Sequence, residues 1–174
     1  MVNLILGLIL SLFPSFLGVP LRRVLGFSLG NGTKISFGAL IFSKDVKIGD
    51  NAIIGSFTYI KASKIRIGNN SLIKPFVIIS TNTFILGNIV QISPLVLIVG
   101  NQLNKSILKV GDRTSILPFC WLEPGEGIEI GNNVGIGGHT LIFTHGVWSN
   151  YLKGGPVTYG RVVIKDNVWL AWRT

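Results

Sequence analysis

Residues 130–146 read IGNNVGIGGHTLIFTHG. They hold both histidines of the chain, His139 and His145, six residues apart. Ile130, Ile136 and Ile142 are also spaced by six, and each histidine stands three places after one of these aliphatics. A helix repeats its buried positions every 3.6 residues and a strand every two, so neither alone gives a beat of six. A strand of about four residues followed by a corner of about two does. Three such faces close a triangular coil of about 18 residues, with the aliphatic of each repeat on the axis, stacked on its counterpart one coil away.

The beat runs through most of the chain. From about residue 33 it is carried by Ile48, Ile54 and Ile60 and, after a slip of one residue, by Ile67, Ile73, Ile79 and Ile85. Ile92 and Ile98 follow, then Val110, Ile116 and Leu122, then the quoted trio, and finally Ile164 and Leu170. Self-similarity at a fixed short period predicts a solenoid, and a period of six predicts a parallel β-helix. The residue after the aliphatic is often Gly, which leaves room at a crowded corner. The tripeptides GDN, GNN and GDR are turn formers. Residues 99–111, VGNQLNKSILKVG, carry the beat least clearly.

Composition sets the outer bounds. The 174 residues suit one domain; 48% are hydrophobic and 13% charged, against roughly 25% charged in ordinary soluble domains. Disorder is excluded on that composition. The one cysteine, Cys120, excludes a disulfide within the chain and reads as a small buried hydrophobe in a reducing compartment. The net charge of +9 comes from basic residues scattered without a dense stripe or a recognition motif, so no nucleic-acid partner is expected.

The chain begins MVNLILGLILSLFPSFLGVPL, about 21 residues without a charged side chain, followed by Arg22 and Arg23. Pro14 interrupts any continuous helix, and Gly7, Gly18 and Pro20 weaken it. We expect a hydrophobic helix over about residues 2–13 and a bent second piece, within an N-terminal segment 1–30. This segment would dip into the inner leaflet with Arg22 and Arg23 at the headgroups, making the protein peripheral or monotopic on the cytoplasmic face of the membrane. The alternative is a helix that caps the end of the coil.

Over residues 31–174 the repeats resemble the left-handed β-helix hexapeptide-repeat acyltransferases. The resemblance implies the left hand of the coil, which spacing does not give. The C-terminal part, IGNNVGIGGHTLIFTHG and, after a gap, PVTYGRVVIKDNVWLAWRT, is similar to the maltose, galactoside and exopolysaccharide O-acetyltransferase branch. There a repeat ends in Thr and His, a loop leaves the coil, and the chain returns through a Pro-Val or Pro-Ile and an IGDNVWIG repeat. Two departures stand out: Ala171 replaces a usual Gly, and the chain stops at Thr174, before the further coils and cap such enzymes carry. A solenoid stopped in mid-coil exposes strand edges and its core, so a truncated product is expected.

At His145 the beat is lost, and about 20 residues pass before Ile164 restores it. Residues 146–160 are therefore a loop leaving a rigid scaffold, with Trp148 and Tyr151 as candidate substrate contacts. By spacing, His145 is either a base at the loop root or a corner histidine bonded to the loop backbone. The resemblance implies the base, and it implies acetyl-CoA as donor, a hydroxyl of a sugar or glycan precursor as acceptor, and a homotrimer. An imidazole suits this chemistry because it takes a hydroxyl proton near neutral pH. Glu123, Glu126 and Glu129 lie about one coil earlier; Glu126 is the expected orienting partner, with solvent-facing corner carboxylates as the alternative. His139, one face before His145, is a polar corner residue or a second substrate contact. Trp169 and Ala171 match the family's positions along the coenzyme arm, although Trp169 equally suits packing against the loop.

No metal is expected. A γ-type carbonic anhydrase shares the fold but needs three histidine ligands per chain, and this chain has two histidines. An ice-binding β-helix would show rows of outward Thr. The competing reading is a catalytically inert β-helix scaffold or a decayed, truncated acyltransferase.

Overall fold

The computed structural model describes residues 4–100, 105–147 and 154–174. Parallel strands stack into three sheets of seven, seven and six strands, which form the faces of a β-solenoid. In the first sheet Ile48, Ile67, Leu86, Val110, Ile130 and Ile164 lie in register above one another. The second stacks Ile54, Ile73, Ile92, Ile116, Ile136 and Leu170. The third stacks Ile60, Ile79, Ile98, Leu122 and Ile142. All are buried except Ile164 and Leu170, which are half-buried against the same core.

The early coils are 19 residues long, as the register pairs Ile48 with Ile67 and Ile67 with Leu86 show, not about 18. The extra length lies in the first sheet. Its strands Asp45–Ile48, Lys64–Ile67 and Thr83–Leu86 each send two side chains inward. This corrects the expectation for Ile85. A strand alternates faces, so with Phe84 and Leu86 inward, Ile85 points outward.

At the corner after the first sheet, Asp50, Asn69, Asn88, Asp112, Asn132 and Asp166 form a ladder. Each Oδ1 accepts the backbone N–H of the matching residue one coil earlier, at 2.7–2.8 Å. A glycine precedes five of the six (Gly49, Gly68, Gly87, Gly111 and Gly131; Lys165 precedes Asp166), and it stands there because the next coil comes so close. A Cβ on Gly68 would lie 2.7 Å from Asn88 N and nearer still to the Gly87 carbonyl, and backbone cannot move aside as a side-chain end can. Gly68→Ala is expected to lose about 1–3 kcal/mol of stability, as overpacking usually does. Gly160→Ala, which meets nothing within 4 Å, should leave the melting temperature unchanged; thermal melts of the two variants make the comparison.

Asn51, Asn70, Asn133 and Asn167 follow in the left-handed region, φ 53–60°, which Asn tolerates. The next corner places Phe57, Phe76, Leu95, Phe119 and His139 there, φ 56–62°, where bulky residues are uncommon. Their rings stack along the corner: Phe57 on Phe76 at 5.5 Å and Phe119 on His139 at 4.8 Å between centroids. His139 thus stands three places after Ile136 because that is where the coil turns.

Two short helices, α1 (Leu4–Ser11) and α2 (Ser15–Val24), precede the coil, divided at Pro14. They cover the open end of the first coil. Ser11 O accepts from Gly38 N at 2.8 Å, Ser15 Oγ accepts from Ile35 N at 3.1 Å, and Gly7 lies against the Phe42 ring. Arg22, expected at lipid headgroups, is instead 2% exposed. Its guanidinium donates to the carbonyls of Gly18 at 3.2 Å, Leu10 at 3.1 Å and Ala39 at 3.4 Å, tying both helices to the coil. Burial lowers its pKa to about 10. The carbonyl of Leu10, in the last turn of α1, needs a donor, and Arg22 supplies it while also bonding Gly18 within α2 and Ala39 on the coil. Arg23 donates to Leu29 O at 3.0 Å and Gly30 O at 2.9 Å and stays exposed.

Candidate functional site

The last strand of the third sheet, Leu141–Phe143, pairs in register with Trp121–Glu123. Phe143 and Glu123 both point outward, as alternation around the buried Ile142 and Leu122 requires. After Thr144 the chain leaves the coil. His145–Val147 and Val157–Tyr159 form an antiparallel hairpin pair, His145 opposite Tyr159. Gly160 N donates to Thr144 O at 2.9 Å and closes the hairpin root. The two imidazoles therefore sit at opposite ends of one strand. His139 belongs to the corner before it, and His145 to the hairpin after it.

His145 Nδ1 is 3.0 Å from Glu123 Oε2. A carboxylate can only accept, so Nδ1 carries the proton and donates, which leaves the Nε2 lone pair free. The side chain of Glu123 is 13% exposed and that of His145 44%, so the carboxylate is sheltered while the imidazole reaches solvent. Thr144 Oγ1 also donates to Glu123 Oε2 at 2.8 Å and accepts the Glu126 backbone N–H at 3.0 Å. Thr144 itself is 2% exposed. Gly125 lies under the carboxylate: a Cβ there would stand 2.7 Å from Glu123 Oε1. Thr144 and Gly125 thus hold the Glu123 carboxylate against the His145 imidazole.

The carboxylate at His145 is not that of Glu126. Counting one coil back from Gly146 reaches Glu126, but the chain has left the coil by then, and His145 lies back over the outward Glu123. The Glu126 carboxylate instead pairs with Lys105 Nζ at 3.1 Å. Glu129 pairs with Lys109 at 3.0 Å and with Arg161, and these cations hold its carboxyl below the ordinary range.

Aromatic rings surround the pair. Phe143 lies edge-on to His145 at 6.0 Å between centroids and to Trp121 at 5.2 Å, and Tyr159 lies 6.2 Å from His145. Tyr159 and Thr144 were legible only through pairing: a hairpin rooted at His145 brings its closing residue opposite. Trp148 and Tyr151 lie outside the described residues. Trp169 is on the second sheet, its indole over Gly135 and 64% exposed. The Ala171 carbonyl accepts from Thr140 Oγ1 at 3.3 Å and Thr174 Oγ1 at 2.9 Å, so it is occupied within the chain. Neither residue joins the His145 group. Trp172, which the sequence did not single out, lies 6.4 Å from His139. Cys120 is 1% exposed, its Sγ donating to Gly137 O at 3.1 Å, and burial raises its pKa.

No protein-family model matches the chain, and no curated protein matches it in sequence. Thirteen chains of known structure do match. One is the acetyltransferase domain of PglB from Neisseria gonorrhoeae FA1090, 21% identical, with a TM-score of 0.41. The match covers 71% of this chain and 54% of that one, so this chain spans about half of that domain's length.

Proposed function

We propose that the chain is an acyltransferase that moves an acetyl group from acetyl-CoA to a hydroxyl of a sugar or glycan precursor, with His145 as general base and Glu123 as the carboxylate that orients it. The observation that carries this reading is the 3.0 Å Glu123–His145 pair with Nε2 free, at the root of a hairpin on a rigid coil. A hydroxyl is a poor nucleophile until its proton is taken, and a fixed imidazole takes it during attack. The acceptor oxygen adds to the thioester carbonyl as its proton passes to Nε2. The tetrahedral adduct then expels the coenzyme thiolate, and the imidazolium returns the proton to the sulfur. Throughout, Glu123 fixes the tautomer and stabilises the charged ring.

The donor side of the reading is an exposed indole, Trp169, on the second sheet, away from His145. In this reading the donor runs between two copies, and the outer face of the third sheet suits such an assembly. Ile78, Trp121 and Leu141 are 42–56% exposed there, beside Phe57, Phe76 and Phe119. We assign a homotrimer, wound with the left hand that the family resemblance implies. The test is release of free thiol from acetyl-CoA against a panel of sugar nucleotides and lipid-linked sugars, run on fractions separated by mass. Thiol release that depends on a saccharide and follows the trimer fraction is the expected result. No release with any acceptor, or full activity in the monomer fraction, overturns the reading.

A further inference from the structure

The α1–α2 pair buries one face on the coil through Leu10, Val19 and Arg22. Its other face is apolar and open: Leu12 is 65%, Phe16 75% and Val24 86% exposed, with Leu8, Ile9 and Leu17 beside them. A contiguous apolar patch of this kind marks an interaction surface. What borders it identifies the occupant. The first 44 residues contain no acidic side chain, and the first carboxylate after them, Asp45, is paired with Arg66. Arg23, Lys34 and Lys44 are exposed around the cap. An apolar face bordered by these cations complements an anionic lipid surface, whose headgroups attract the cations while its acyl boundary receives the apolar side chains. The helices are eight and ten residues long, against about 20 needed to span a bilayer, so they fit in the plane of the interface.

We propose that the outer face of the α1–α2 cap docks on an anionic bilayer. Arg22 makes this more than a loose tether. Because it bonds both helices and the first coil, the docking face is a fixed end of the solenoid. The third sheet's last strand lies five strands beyond its first, at about 4.8 Å per strand. Docking through the cap therefore holds Glu123, four strands beyond the first, about 19 Å of coil from the cap, and the last strand, which leads to His145, about 24 Å.

The test is co-sedimentation of the full chain with vesicles of phosphatidylcholine alone or with phosphatidylglycerol added. The chain should bind the anionic vesicles, and less so at high salt. Leu12→Ser, Phe16→Ser and Val24→Ser combined should lower the partition by at least about tenfold, with an unchanged thermal melt because these side chains are exposed. If the triple variant fails to fold, Phe16→Ser alone should still lower binding several-fold. Lys34→Gln with Lys44→Gln should weaken binding to anionic vesicles only. Wild-type chain left in the supernatant, or a folded apolar variant that binds as wild type, overturns the proposal. So does self-association through the cap that Phe16→Ser abolishes while no vesicle binding is seen; the occupant is then a second copy. No readout involves acetyl transfer, so this proposal and the reading of the site fail separately.

Discussion

His145→Ala, which removes the proposed general base, should lower turnover by roughly 10²–10⁴, the usual worth of such a group, and should leave acetyl-CoA affinity nearly unchanged. In the proposed mechanism the imidazole assists proton transfer in the transition state and contributes little to holding the donor, so the loss should fall on kcat rather than KM. The melting temperature should hold, because the side chain is 44% exposed and its one strong partner is a carboxylate that Thr144 continues to bond. The partner assignment is tested alongside. Glu123→Gln keeps the shape but offers either an amide oxygen or an amide N–H to Nδ1, and it weakens the hold on the tautomer that frees Nε2; it should lose activity by at least tenfold. Glu126→Gln should lose almost none, because that carboxylate pairs with Lys105. His139→Ala should cost less than tenfold, since its ring stacks on Phe119 at the other end of the strand. If Glu126→Gln and Glu123→Gln exchange places in the ranking, the orienting group is misassigned. If His139 is essential and His145 dispensable, the base lies at the wrong end of Leu141–Phe143.

The coil was readable because its constraint is periodic. A core residue recurs wherever a short strand and a corner repeat, and every recurrence adds evidence from a single sequence. Reading failed where the period changed locally. At Ile85 an even beat of six overran a strand that sends two side chains inward, and Leu86 took the core place. The glycine column was visible as a preference for small residues. Its cause, the next coil's Asn or Asp reaching down to a backbone N–H, becomes clear only in three dimensions. The site was half legible. His145 announces itself by standing where the beat stops. Its partner does not, because counting residues locates a neighbour only while both chains stay in the coil, and His145 has just left it. At Arg22 the charge pattern was right and the environment was hidden: sequence marks a cation after an apolar run, and only the fold reveals three carbonyls waiting for it.

Phe84→Ala is the largest stability loss expected. Among the fully buried side chains Phe84 is the bulkiest, at 0% exposure. It lies in register with Ile65 on one side and Leu108 on the other, so an aromatic ring fills a place that aliphatics fill in the neighbouring coils. Removing it takes away the transfer free energy of the ring and leaves a cavity walled by coils that hydrogen bonds hold at fixed spacing. Such a wall cannot collapse inward, which puts the cost near about 3–5 kcal/mol, the usual range for Phe→Ala in a core. For a domain of this size that lowers Tm by roughly 2–4 °C per kcal/mol. Phe84→Leu keeps a side chain like that of Leu108 and should cost less than about 1.5 kcal/mol. Position matters as much as volume. Each coil of a solenoid touches only its neighbours, so a defect in a middle coil weakens the contact between two halves. Hydrogen exchange should then show the strand amides at Ile65 and Leu108 opening together, while Ile41 near the cap stays protected. A Phe84→Ala chain that melts within a degree of wild type would mean the wall does collapse, and the coil is softer than its ladders imply.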